Sequence, residues 1–192
     1  MIDHSKYTGE YIKRGITVYS AFQTQHAVET ITGERTKVIE PLKAIKVGNF
    51  IVTPFNVPHD KDIECYGYLI KHEDIGTLLF VTDLLYIPYT FKSKKLNTIM
   101  IECNHITELI DQSYNNSLRN RVVQTHMNLE TCKQAIEANK TSCLSNVILL
   151  HLSDSNSNEK TMVAEVQEVC GDGVNVVAAN KGLNIDLNVC SF

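Results

Sequence analysis

The chain has 192 residues, an apolar share of 43% and a formal charge of -4. That length suits one well-buried domain over residues 1–192, and the ordinary apolar content argues against long disordered tails. The negative balance excludes a broadly basic nucleic-acid binder, and no apolar run is long enough to span a bilayer.

The periodicity switches between helix and strand without internal repeats. Ser5–Arg14 reads as a short helix closed by Gly15, and Ile16–Tyr19 as a strand. Gln23–Thr32 is helical up to Gly33. Lys37–Ile39, Lys43–Val47 and Phe50–Val57 read as strands parted by Pro41 and the Gly48-Asn49 turn. Cys65–Lys71 and Thr77–Thr82, joined by a turn over His72–Gly76, form a hairpin, and Thr98–Glu102 is a short apolar strand.

Helical spacing then dominates, in His105–Ser113, Leu118–Thr125 and Asn128–Asn139, the last capped by Asn128. Asn146–Leu150 is a buried strand, Ser157–Cys170 a capped helix, and Val174–Val177 and Leu183–Leu187 are closing strands. Early hairpins followed by alternating helices and strands predict a layered α/β domain with a mixed sheet. The N-terminus lacks a charged-then-apolar leader, so a cytoplasmic protein is expected. Six scattered cysteines without a CxxC pair predict reduced thiols rather than a zinc ribbon. Lys92, Lys94 and Lys95 could touch a phosphate backbone; a solvated loop is the plainer reading.

Histidines and carboxylates fall repeatedly where a strand runs out. Asp3-His4 opens the chain, His59 follows Phe50–Val57, and Asp83 follows Thr77–Thr82. Glu102 ends the next strand, His126 follows a helix, and His151 ends Asn146–Leu150. Each alone is weak, since a lone His after a strand is more often a hydrogen-bonded or exposed residue. Together they offer the imidazole and carboxylate donors used by zinc, manganese or iron.

The local words make this more specific. Asp3–Lys6 resembles the end of the His-x-His-x-Asp-His motif of metallo-β-lactamase-fold hydrolases. Val57–Asp60, Phe80–Asp83, Glu102–His105, Thr125–Met127 and His151–Ser153 follow in that family's order, and Ala179–Ile185 is similar to its final strand. The resemblance is nearest to bacterial and phage members of the YycJ-like and ribonuclease Z-like branch. It implies an αββα sandwich and a metal-dependent phosphodiesterase or nuclease acting on nucleic acid or another phosphodiester. Asp3, His4 and His151 would hold one metal, Asp83 would bridge, and His59 would belong to the other. Asp3 could also orient the attacking water, and Glu102 with His126 would relay a proton to the leaving oxygen.

The motif's first two histidines would fall at position 1, which is Met1, and ahead of it. The expectation is therefore a fold incomplete at its N-terminus, holding one divalent metal at most and prone to dimerise through the uncovered region. The hydrolytic activity is expected of the intact form, with this chain alone inactive or weakly active; a non-catalytic remnant or binding module is the alternative. His26, His72 and His105 have no place in the pattern and are expected at the surface.

Overall fold

The computed structural model describes residues 7–27, 33–59, 64–110 and 123–189. Asp3 and His4, the helix predicted over Leu118–Thr125 except its last three residues, and the end of the helix predicted over Gln23–Thr32 lie outside them. The described elements begin with α1 (Thr8–Lys13), β1 (Val18–Ser20), α2 (Phe22–Ala27) and β2 (Thr36–Val38). Next come β3 (Ile45–Val47), β4 (Phe50–Val57), β5 (Cys65–His72), β6 (Gly76–Val81) and β7 (Thr98–Glu102). The chain closes with α3 (Leu129–Asn139), β8 (Asn146–Leu150), α4 (Glu159–Cys170) and β9 (Asn175–Ala178).

Strands β3 to β9 form one sheet in sequence order, while β1 and β2 pair parallel in a small separate sheet. The large sheet is antiparallel from β3 to β6 and parallel from β6 to β9. Its register lines Phe55, Gly67, Val81, Ile101 and Leu149 across one face, with Leu79, Ile99 and Val147 in the next row. These side chains pack with Leu129, Cys132 and Ile136 of α3 and Met162 and Val166 of α4 in the main core. Asn128 caps α3 as the sequence suggests, its side chain accepting from Thr131 N, and α4 is capped by Asn158, one residue past the expected start at Ser157, accepting from Thr161 N. Gly67 is required by close approach, since a Cβ there would stand 2.5 Å from the Phe55 ring and from Val81.

Three expectations need correction. Residues Leu183–Leu187 form no strand; Leu183 N turns back to the Asn180 carbonyl, and the segment joins no ladder. The helix expected over His105–Ser113 is a short 3-10 turn at Thr107–Leu109, with 111–113 outside the described residues. The reason is upstream: β7 effectively continues, because Cys103 N bonds Leu150 O, Asn104 N bonds Met127 O and Ile106 N bonds Asn156 O. That zipper buries His105, which is 1% exposed rather than at the surface. All five described cysteines are free, two of them buried. Among the described residues no helix is long and apolar enough to cross a membrane.

Candidate metal centre

The parallel strands β6, β7 and β8 end side by side, and their last residues or those just beyond carry the site. Asp83 lies two residues past β6, Glu102 is the last residue of β7, and His151 directly follows β8. Side chains at the carboxyl ends of adjacent parallel strands converge without any special loop geometry. Asp83, Glu102, His126 and His151 each place a possible ligand atom within 4.8 Å of all the others. Asp83 and His151 also have left-handed backbones, φ 53° and 56°. Such conformations cost about 1–3 kcal/mol in non-glycine residues and concentrate at functional sites.

Glu102 organises this cluster from below. It is fully buried. Oε1 accepts from His126 Nδ1 at 2.8 Å and from Met127 N at 3.1 Å. Oε2 accepts from Asp83 N, from Leu84 N at 3.4 Å and from His151 Nδ1 at 3.4 Å. Burial by itself would raise this carboxyl group, but the bonds from His126 and His151 outweigh it and hold the group below its usual range. With its lone pairs taken by three backbone amides and two imidazoles, Glu102 serves as a support for ligands rather than a ligand.

The imidazoles form a row. His126 stands 5.2 Å from His59 and 5.0 Å from His151, measured between ring centroids. His59 Nδ1 meets the Thr125 carbonyl at 2.8 Å, so it carries the proton and Nε2 is the lone-pair nitrogen. Thus the site brings together Asp83, Glu102, His126 and His151 and sets His59 alongside. The contact expected between Glu102 and His126 is made. Asp3 and His4 fall outside the described residues.

Two supporting residues carried no role in the sequence reading. Asn104 ties the strand ends together: Nδ2 donates to the His151 carbonyl at 2.8 Å, and its own carbonyl accepts from Ser153 N. Its place between Glu102 and His105 in the Glu-Cys-Asn-His word was the available signal. Cys65 Sγ donates to the Asp83 carbonyl at 3.3 Å. Burial, followed by the charge of Asp83, pushes this thiol up to about 11, so it acts as a donor rather than a thiolate ligand. Lys92, Lys94 and Lys95 sit where β7 begins, a strand length from the site, or about 16 Å at 3.3 Å per residue. They are exposed and far from the cluster, as a solvated loop would be.

The donor set fits a divalent cation. One carboxylate and up to three imidazoles, two of them oriented through their far nitrogens by a carboxylate or carbonyl, are what zinc, manganese and iron sites use. Without a cation, a proton neutralises the same place. His151 Nδ1 lies 3.1 Å from Asp83 Oδ1, and the hydrogen bonds to Asp83 and then Glu102 push His151 up to about 10, against the effect of burial. A folded pKa raised above 6.5 stabilises the metal-free fold fully below that value, and the contribution is lost as pH rises through about 10. Ligation at that ring nitrogen must expel its proton. Metal affinity is therefore expected to rise about tenfold per pH unit between pH 6.5 and 9. Isothermal titration in buffers of differing ionisation enthalpy checks this; no proton release at pH 7 would mean that His151 Nδ1 does not exchange its proton for metal.

No family model and no curated protein matches the chain. Solved structures do. The metallo-beta-lactamase fold protein YhfI from Bacillus subtilis aligns with a TM-score of 0.63 at 20% identity, over 87% of this chain and 63% of that one. Igni18, a metallo hydrolase from Ignicoccus hospitalis, aligns at 0.66 and 10% identity over 96% of this chain and 75% of that one. The isothiocyanate hydrolase from Delia radicum gut bacteria aligns at 0.55 and 11% identity, over 81% of this chain and 61% of that one. The chain has the metallo-β-lactamase fold, and it spans less than two thirds of the YhfI chain.

Proposed function

We propose that the protein is a metal-dependent hydrolase of phosphodiester bonds, with zinc as the expected metal. The observation that carries this reading is the Glu102–His126 pair. A buried carboxylate holds Nδ1 of a part-exposed imidazole, which leaves Nε2 free to hold or release a proton beside Asp83 and His151. Cleaving a phosphodiester expels an alkoxide that needs a proton, whereas acyl hydrolysis on this fold has less need of such a pair.

Asp83 and His151 would hold the cation, with His59 presenting Nε2 to a neighbouring position and Asp3 and His4 completing the ligand set. The bound cation would make water at the site more acidic and offset charge on the phosphoryl group. Glu102 fixes the imidazole tautomer and draws the backbone amides of Asp83 and Leu84 to one carboxylate oxygen. Cys65 and Asn104 fix the carbonyls of the two left-handed residues. His126 delivers the proton to the departing oxygen.

The test is substrate class. With zinc or manganese added, the chain should hydrolyse bis(p-nitrophenyl) phosphate, if slowly for want of the motif's first two histidines, and leave a thioester and a β-lactam untouched. Thioester or lactam cleavage without diester cleavage would overturn the reading. Tight metal binding with no hydrolysis of any of the three would favour a binding module instead.

A further inference from the structure

The elements before β3 carry a surface that the metal centre does not use. Tyr7 caps α1, Tyr11 stands four residues on, and Arg14 follows at the C-cap, so all three share one face of the helix. Tyr7 and Tyr11 are 62% and 51% exposed. Arg35 extends this face, donating from Nη1 to the Gly15 carbonyl at 2.7 Å. Register then pairs Tyr19 with Lys37, whose Nζ lies 5.9 Å from the Tyr19 ring centre. Aromatic rings and cations thus recur on α1, in the segment bonded to its end and on the β1–β2 pair.

The charge balance says what this surface would meet. Among described residues 7–27 and 33–47, Glu10 pairs with Lys13 and Glu40 with Lys43. Counting 7–47 in the sequence, that leaves Arg14, Arg35, Lys37 and Lys46 against Glu29 and Glu34, a local positive excess on a chain whose net charge is -4. A second copy related by a twofold axis would set this positive surface against itself. A polyanion with stackable rings matches both features: cations neutralise phosphates while exposed tyrosines take the faces of unpaired bases.

We propose that the surface carrying Tyr7, Tyr11, Arg14, Arg35 and Lys37 binds single-stranded nucleic acid. This names the substrate class for the phosphodiesterase reading and rests on that reading only for the fate of the bound strand. Duplexes are disfavoured because their base faces are stacked and closed to the tyrosines.

The test uses the full chain in EDTA with fluorescein-labelled 20-mers of oligo-dT and oligo-rU, so that binding is read without turnover. Anisotropy should show binding whose logarithm falls with log salt at a slope of about -2, from three phosphates at about -0.7 each. Tyr11→Ala should weaken binding about tenfold. Arg14→Gln with Lys37→Gln should weaken it and flatten the slope by about 1.4. Lys92→Gln, exposed and on a separate element, should change nothing, and circular dichroism should show every variant folded. Tighter binding of one oligomer would identify DNA or RNA as the preferred strand. No binding at 25 mM salt, equal affinity for a duplex, or undiminished binding by folded Tyr11→Ala would overturn the proposal. So would a wild-type dimer that Tyr11→Ala dissociates. His126→Ala should leave binding intact, which separates failure of this surface from failure of the hydrolytic reading.

Discussion

His126→Ala is expected to slow phosphodiester hydrolysis by about 10²–10⁴-fold, the usual worth of a positioned proton donor, while metal content stays unchanged. The geometry suits His126 either as proton donor or as ligand, and metal content measured beside the rate separates the two roles. Its Nδ1 is committed to Glu102 at 2.8 Å, and its ring stands between His59 and His151, each about a ring's width away. A group so placed can reach a departing oxygen from a cation held by Asp83 and His151. The diagnostic measurement is leaving-group dependence. Without a proton donor, the rate should become much more sensitive to the pKa of the alcohol, so aryl esters with good leaving groups lose little and alkyl esters lose most. Elemental analysis of the same samples completes the test. Metal and activity lost in parallel would make His126 a ligand, and an unchanged rate with alkyl esters would leave it a structural residue.

Glu102→Ala should cost about 3–5 kcal/mol of stability, the range for breaking a buried charged pair by removing one partner. The carboxylate is fully buried and is the shared acceptor for backbone amides of Asp83, Leu84 and Met127. Each buried amide left without an acceptor carries its own desolvation cost. At 2–4 °C per kcal/mol for a domain of this size, the melting temperature should fall by roughly 6–20 °C. Glu102→Gln keeps the volume but turns an NH2 group toward amide donors, so it should recover only part of the loss. Thermal unfolding at pH 6 checks both variants. Below its usual carboxylate range the wild-type group is protonated and its contribution disappears. The difference between wild type and Glu102→Gln should therefore shrink as pH falls below about 4.5. A Glu102→Ala protein melting within 2 °C of wild type would contradict this account of the site's support.

The strand ends were legible because β6, β7 and β8 are short apolar runs that stop at Val81, Glu102 and Leu150. A parallel sheet buried on its helix-packed face needs such runs, and a polar residue at their close marks where the chain leaves the sheet. The helices α3 and α4 were equally readable from their apolar spacing, and α3 from its Asn128 cap as well. His105 was misread for a definite reason. Local pattern suggested a helix from His105 onward, but the backbone there is held between the segment after β8 and the one before α3, by bonds to partners distant in sequence. Its burial follows from that zipper, and nothing within a few residues of His105 encodes it. Leu183–Leu187 shows the reverse: an alternating pattern with no ladder to join.

By itself the sequence determined which donors are available and that they fall at strand ends, because side-chain chemistry and short-range periodicity are local properties. The pairing of Glu102 with His126 came instead from the resemblance of its motif words to the metallo-β-lactamase-fold hydrolases. Only the tertiary structure decided that Glu102 would serve five donors at once, that His151 would be held as a cation against Asp83, and that Asn104 and Cys65 would fix the two left-handed residues. The physical reason is that hydrogen-bond saturation and pKa depend on which groups the sheet brings within about 3 Å. That distance is set by the register of β6, β7 and β8, strands separated in the chain by long connections, and not by any stretch of sequence around one residue.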